Sequence, residues 1–234
     1  MNLPRHAIAW SYWTVALTSL AAAIAMVAMY TPTEPTMGPV QKITYLHVPI
    51  AINTFLACVV VFVASIGYIW QRTPAWDDLA GAAAQVAVLF CSVVLLTGMI
   101  WARQAWNEWW IWSPLLTFSL ILWLLYLAHL VLHRQAKASQ QREIVCAIYG
   151  AIAFLDVPLV YLSVKLLPDR HPADVNLTPE MIRTILIWFV PTTLISGGLI
   201  FARFRLTQRI RALSARSPLP PGQGSKFILK ETVP

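Results

Sequence analysis

Eleven tryptophans occur in this chain of 234 residues, and five of them fall within one short segment. They are Trp101, Trp106, Trp109, Trp110 and Trp112, in the sequence WARQAWNEWWIWSP (101–114). Tryptophan is enriched where a membrane meets water. An interfacial belt accounts for one or two such residues, but not for five within twelve positions. A cluster this dense predicts a broad, flat aromatic surface, which suits a large planar ligand.

The histidines add a second kind of chemistry. His47 precedes Pro49, a residue favoured in the first turn of a helix, so His47 is predicted to lie at the mouth of a helix. His171 falls in a connection between two apolar stretches. Two neutral imidazoles beside a flat aromatic wall predict a bis-histidine haem site. His129 and His133 have no carboxylate or cysteine nearby in the sequence, so we assign them an interfacial role.

The composition identifies the class of protein. Residues of the set AVILMFWYC make up 58% of the chain and charged residues 12%, about half of the roughly 25% typical of soluble proteins. So few charges cannot cover a water-exposed surface, which excludes a soluble enzyme and a disordered chain. The sequence contains neither CxxCH nor GxxxxGKS/T, so the chain is predicted neither to attach haem covalently nor to hydrolyse ATP through a P-loop.

Six stretches are long enough to cross a membrane. Between Asp, Glu, Lys and Arg residues lie six long apolar stretches, of which only the fifth is interrupted by a charged residue, Asp156. Each spans a hydrocarbon core roughly 30 Å thick, where the backbone must be helical. We therefore predict an all-α integral membrane protein with six transmembrane helices near 8–30, 46–70, 79–100, 114–132, 144–166 and 182–202. They form one domain, 1–205, followed by a basic cytoplasmic tail containing Pro, Gly and Ser, 206–234.

Basic residues predict the orientation. With both termini in the cytoplasm, twelve Lys and Arg residues fall on the cytoplasmic side and five on the outer side, as the positive-inside rule requires. His47, His171 and the tryptophan cluster then share the outer face. The net charge of +7 reflects this topology and a tail near anionic lipid, and does not indicate nucleic-acid binding.

Longer motifs carry a resemblance to a known family. TGMIWARQAWNEWWIWSPLLT (97–117) resembles the tryptophan-rich, WWD-type signature of the haem-handling proteins of cytochrome c maturation. Within that superfamily, YLHVPIAINTF (45–55) and LDVPLVYLSV (155–164) resemble the haem exporter protein C family, usually called CcmC, over about residues 8–205. In that family two outer-face histidines flanking the tryptophan motif hold the haem. The resemblance places His47 and His171 at these positions, and Arg103 and Arg183, on the same side, are candidate contacts for the haem propionates.

The sequence departs from the family pattern at several positions. The motif of the family ends in Trp-Asp, whereas this chain has Trp112-Ser113, and Leu115 replaces an arginine. Ala102 and Ala105 stand where glycines are usual. The aromatic pair and the His-Gln found around the second histidine are also absent. These changes keep the platform and both histidines but remove polar groups around them.

The resemblance implies a haem-binding, non-enzymatic component of cytochrome c maturation in the bacterial inner membrane. Such a protein presents haem b at the periplasmic face and delivers it to a membrane-anchored haem chaperone like CcmE. Further implied partners are an ABC-type ATPase with its membrane subunits, a small single-span subunit and membrane lipid. Because the chain lacks a P-loop, any ATP is expected to be used by a partner.

Two other functions fit parts of the sequence. A b-type cytochrome usually holds its haems through ligands inside the spans, whereas both candidate ligands here lie at the ends of spans. A small-solute transporter without a cofactor is favoured by Asp156, since a carboxylate within a membrane span usually marks a functional site. Asp156 also lies two residues before Pro158, so a cap on backbone groups freed by a proline kink explains it equally well.

Overall fold

The computed structural model describes residues 5–135, 139–167, 171 and 177–216. Within these ranges the chain forms α1 (Arg5–Met29), a 3-10 helix (Pro39–Ile43), α2 (Thr44–Gln71), α3 (Pro74–Trp106), α4 (Pro114–Gln135), α5 (Gln140–Ala153), α6 (Asp156–Leu166) and α7 (Pro179–Arg216). Six helical stretches are long and apolar enough to cross a membrane, because α5 and α6 together make the fifth. The predicted all-α membrane fold with six spans is confirmed.

Two helices extend beyond their predicted bounds. The spans were predicted at 79–100 and 182–202, whereas α3 covers Pro74–Trp106 and α7 covers Pro179–Arg216. The predictions ended each span at a charged residue, but both helices continue past such residues. At the start of α3, Asp77 and Asp78 are paired with arginines of other helices, whereas Arg203 and Arg205 of α7 are exposed. The helix α7 therefore crosses the predicted boundary at 205, and the rest of the predicted tail, 217–234, lies outside the described residues.

The fifth span is broken near its middle. Pro158 lacks an N–H, and its ring excludes the usual helical bond to residue 154. At the break the N–H of Leu155 donates to the carbonyl of Ile152, and that of Val157 to the carbonyl of Phe154, both at 3.0 Å. These tighter, 3-10-type bonds close the kink through the backbone, and α6 starts directly afterwards at Asp156.

Small residues let the central helices approach closely. The helices α2 and α3 pack on each other more extensively than any other pair in the described chain. Their contact contains the buried residues Ala57 and Ala64 of α2 and Ala83 and Ala87 of α3. Small side chains are typical of such contacts in membranes, where van der Waals packing drives association. The remaining helices surround this pair, with α1 packed mainly against α7.

One end of the bundle contains a network of buried charges, which we call the charged end. Its members are Tyr68, Asp77, Asp78, His133, Arg142, Glu143 and Arg211. The guanidinium of Arg142 donates to Asp77 at 2.6 Å. That of Arg211 donates to Asp78 at 2.6 Å and to Glu143 at 2.9 Å. These pairs join α3, α5 and α7.

Two further side chains extend the charged end to α2 and α4. The hydroxyl of Tyr68 donates to Glu143 at 2.9 Å, and His133 Nε2 lies 3.2 Å from a carboxylate oxygen of Asp77. The interfacial role predicted for the histidine pair is therefore wrong for His129 and stays a prediction for His133. His133 has a carboxylate beside it that is distant in sequence, and His129 is fully buried within the bundle.

Removing one charge from the charged end should destabilise the fold. Asp77 is 2% exposed and contacts Arg142, Arg211 and His133. Because breaking a buried ion pair leaves an uncompensated charge, we expect Asp77→Asn to lower the free energy of unfolding by about 3 kcal/mol or more. Reversible unfolding in mixed micelles measures this, with exposed Glu108→Gln as the control. Equal stabilities of the two variants would contradict a structural role for the network.

Candidate functional site

The end of the bundle opposite the charged end holds His47 and the tryptophan cluster, and we call it the tryptophan end. It comprises the start of α2, the end of α3, the start of α4 and the connections beside them. His47 lies in the first turns of α2 and is partly buried. Its Nδ1 is 2.8 Å from Oγ1 of Thr97 on α3.

We infer from the contact with Thr97 which nitrogen of His47 carries the proton. The hydroxyl of Thr97 is 2.7 Å from the carbonyl oxygen of Val93 and 3.1 Å from that of Val94. A carbonyl only accepts, and a hydroxyl has a single proton to donate. Because that proton is directed at the α3 backbone, Thr97 accepts from His47 Nδ1–H. The neutral imidazole therefore has an unprotonated Nε2, which is the form that binds a metal.

Sequence reasoning gave no role to Thr97 or to its neighbour Gly98. Gly98 lies against the imidazole of His47, since a Cβ at this position would be in van der Waals contact with His47 Cε1 at 3.4 Å. The one available signal was spacing, because Thr97 precedes Trp101 by four residues and so shares its helix face. Nothing in the sequence indicates that α2 and α3 pack in the register that brings His47 to this face.

The structure brings His171 to the same end. Its ring centroid is 6.3 Å from that of Trp101, with the two planes tilted by 40°. The imidazoles of His47 and His171 lie close enough for a charge on one to act on the other. Two histidines that are distant in sequence and the first tryptophan of the cluster are therefore neighbours in space.

The tryptophans form two perpendicular pairs and not one flat wall. Trp101 and Trp106 meet edge to face, with centroids 5.1 Å apart and planes at 87°. Trp110 and Trp112 do the same at 5.7 Å and 78°. The first pair belongs to α3, whereas the second follows the end of that helix. Trp109 and Trp112 are 57% and 77% exposed, so part of the cluster faces outward.

A cavity of about 310 Å³ lies beside the first tryptophan pair, lined by Thr36, Met37, Val40, Trp101, Gln104, Ala105 and Trp106. This volume is at the lower limit for small-molecule sites, which are about 300–1,000 Å³. One wall is the connection between α1 and α2. The backbone N–H of Met37 donates to the carboxylate of Glu34 in that connection, which lowers the pKa of Glu34.

The two arginines proposed as propionate contacts make other contacts in the structure. Arg103 donates to the backbone carbonyl of Asn107 and to its side-chain oxygen, and its guanidinium lies 6.0 Å from the ring centroid of Trp109. It thereby completes the end of α3, where Asn107 adopts the left-handed conformation. Arg183 donates to the hydroxyl of Tyr30 at 3.3 Å. Both arginines are exposed.

Ser113, which replaces the aspartate of the family motif, starts α4. Its hydroxyl accepts from the N–H of Leu116 at 3.4 Å, and its carbonyl accepts from the N–H of Thr117 at 2.9 Å. Pro114 takes the first helical position, where its missing N–H has no cost. Serine and aspartate are both favoured helix N-caps, so the replacement keeps the helix start.

The fold and the site together define a polytopic α-helical membrane protein that gathers two histidines and a tryptophan cluster at one end. The sequence profile of the family described as Heme exporter protein C matches residues 1–217. The chain therefore belongs to the haem exporter protein C family, and the resemblance in the sequence motifs is confirmed.

Three relatives described as Heme exporter protein C illustrate the similarity. The one from Bradyrhizobium diazoefficiens is 30% identical over 212 residues, which cover 86% of this chain and 81% of the relative. The one from Rhodobacter capsulatus is 31% identical over 149 residues, covering 61% and 62%. The one from Escherichia coli K12 is 28% identical over 182 residues, covering 75% and 74%.

The tautomer of His47 should depend on the hydroxyl of Thr97. We expect Thr97→Val to remove the fixed Nδ1–H tautomer, whereas Thr97→Ser, which keeps a hydroxyl, retains it. Nitrogen-15 chemical shifts of labelled imidazoles measure the tautomer directly and need no haem. An unchanged His47 tautomer in Thr97→Val would show that another group orients this ring.

Proposed function

We propose that the protein binds haem b between His47 and His171 at the tryptophan end and handles it in cytochrome c maturation. The hydrogen bond from His47 Nδ1–H to Thr97 carries this proposal, because it leaves Nε2 as a lone-pair donor for the iron. His171, beside Trp101 at the same end, would supply the second imidazole nitrogen. Haem iron accepts two such ligands, and hydrogen bonds to the ligands adjust their basicity.

The aromatic side chains are suited to the porphyrin. Trp101 lies between His171 and the cavity that Trp106 also lines, so these two rings would contact the macrocycle closest to the iron. Trp109, Trp110 and Trp112 would extend this surface. Large aromatic rings add dispersion and stacking to burial, and they allow haem to be held without a covalent bond and therefore to be released.

We propose that the tryptophan end faces the periplasm and the charged end faces the cytoplasm of a bacterial inner membrane. The exposed arginines of α7, Arg203, Arg205 and Arg209, support this orientation because they lie towards the charged end. Cytoplasmic connections are enriched in Lys and Arg, and anionic lipid attracts such residues. Both chain termini are then cytoplasmic.

The exposed tryptophans suggest how haem leaves the site. Trp109 and Trp112 offer apolar surface at the tryptophan end, and exposed tryptophan is typical of protein contacts. We propose that a membrane-anchored haem chaperone like CcmE docks here and receives haem. An ABC-type ATPase with its membrane subunits and a small single-span subunit would supply the energy for release. The role of this chain is binding and transfer, without catalysis.

The orientation predicts the outcome of reporter fusions. Alkaline phosphatase, which is active outside the cytoplasm, should be active when fused at Trp109 or His171 and inactive at Lys137 or Arg211. A cytoplasmic fluorescent reporter should give the reverse pattern. Phosphatase activity at Lys137 would contradict both the orientation and the periplasmic haem site.

The two histidines should contribute unequally to haem binding. His47 is fixed by α2 and Thr97, so it sets the position of the iron, and we expect His47→Ala to lower haem content at least about tenfold. We expect His171→Ala to retain part of the haem in a five-coordinate form with an altered visible spectrum. Added imidazole should restore a low-spin spectrum to His171→Ala by filling the vacant axial position.

Visible spectra and haem content of the purified variants measure this, with His6→Ala near the N-terminus of α1 as the control. A His171→Ala protein with the parental spectrum would remove His171 from the site. If the purified chain instead retains one haem tightly, and this haem is repeatedly reduced and reoxidised, the result favours a b-type cytochrome.

A further inference from the structure

A second group of polar side chains lies inside the bundle, away from the tryptophan end. Its members are Ser65 of α2, Tyr126 and His129 of α4, and Asp156 of α6, and all four are buried. The Ser65 hydroxyl, both ring nitrogens of His129 and one carboxylate oxygen of Asp156 have no hydrogen-bond partner among the described residues, and the Tyr126 hydroxyl has none there besides the Cys58 thiol beside it. Buried polar groups without a protein partner are usually hydrogen-bonded to internal water.

Ser65 and His129 face the same space. A Cβ at Gly150 of α5 would lie 2.5 Å from Ser65 Oγ and 3.2 Å from His129 Cε1. The two groups are therefore close enough for one water molecule to bridge them. Gly150 lets Ser65 and His129 approach α5 closely, because a Cβ at this position would collide with Ser65 Oγ.

The group continues in both directions along α4. Tyr126 precedes His129 by three residues and shares its face, and its hydroxyl lies beside the Cys58 thiol. Asp156 lies within electrostatic range of both Tyr126 and Cys58. We call the series from His129 through Ser65 and Tyr126 to Asp156 the polar line.

The other end of the polar line meets the charged end. The ring centroids of His129 and His133 are 6.2 Å apart, and His133 is paired with Asp77. The side chain of His133 is 17% exposed, so it connects the line to the aqueous phase. Asp77 of α3 and Arg142 and Tyr149 of α5 also lie near His129, so charges of both signs surround this end of the line.

Asp156 lies deep in the membrane. It follows Glu143 of the charged end by thirteen residues, or about 20 Å of helix, in a hydrocarbon core roughly 30 Å thick. The ionisable groups that face it are Cys58 of α2, Cys91 of α3 and Tyr126 of α4. One turn further towards the tryptophan end, Leu122 and Val160 are buried and aliphatic. Aliphatic side chains therefore follow Asp156 on the side of the tryptophan end.

We propose that the polar line is a water-bridged proton path from the charged end to Asp156. A hydronium ion at His133 gives up a proton. His129 accepts this proton at one ring nitrogen and donates another from the second, and the Tyr126 hydroxyl accepts a proton at its oxygen and donates its own. The carboxylate of Asp156 becomes a neutral carboxylic acid, and the reverse steps return the proton to water. Chains of buried carboxylates and histidines in membranes commonly serve as proton relays.

Infrared spectroscopy of the full chain in lipid nanodiscs tests this proposal. The carboxylic-acid stretch that is lost in Asp156→Asn reports the protonated residue, and its shift in heavy water reports exchange with solvent. We expect exchange to be at least tenfold slower in Tyr126→Phe and in His129→Leu than in the parent. The matched control is Tyr161→Phe, an exposed tyrosine of α6, which should exchange at the parental rate.

Three outcomes would overturn the proposal. If no carboxylic-acid band is lost in Asp156→Asn at any accessible pH, Asp156 is not the proton acceptor. If both path variants exchange at the parental rate, these side chains do not form the path. If the parent exchanges as slowly as the path variants are expected to, the polar line holds only isolated structural water. No haem is needed for this measurement, so its result is independent of the haem-binding function proposed above.

Discussion

Polar groups inside this bundle need partners from other helices, and this requirement organises the structure. Neither lipid nor an apolar helix can satisfy a charge, and an unpaired buried charge is costly. At the charged end, Asp77, Asp78 and Glu143 are buried beside Arg142 and Arg211. Because these partners come from different helices, the pairing that neutralises the charges also fixes how α3, α5 and α7 are arranged.

The helices α2 and α3 connect the two ends of the molecule. At the charged end they contribute Tyr68 and Asp77, and at the tryptophan end they contribute His47 and Thr97. Closely packed alanines hold the two helices together between these ends. The orientation of the His47 ring thus depends on the same helix pair that is anchored by buried charges at its other end, so the haem ligand we propose is attached to a rigid frame.

The interior separates two polar systems with different chemistry. At the tryptophan end, aromatic rings and an oriented imidazole suit a large, planar, iron-containing ligand. The polar line reaches Asp156 from the opposite end, and the aliphatic residues Leu122 and Val160 lie between it and the tryptophan end. The break between α5 and α6, next to Pro158, places Asp156 at the start of a helix in the middle of the fifth span. One local distortion of the backbone therefore positions the carboxylate at which the polar line ends.

The sequence by itself determined the membrane class, the six spans and the family, because apolar length and motif spacing are local properties of the chain. It also identified His47, His171 and Trp101 as candidates. Only the tertiary structure decided that Thr97 orients His47, that Asp77 pairs with His133, and that the tryptophans meet edge to face. Each of these depends on which helix faces which and in what register. The early start of α3 has the same reason, since Asp77 and Asp78 find their partners Arg142 and Arg211 on other helices.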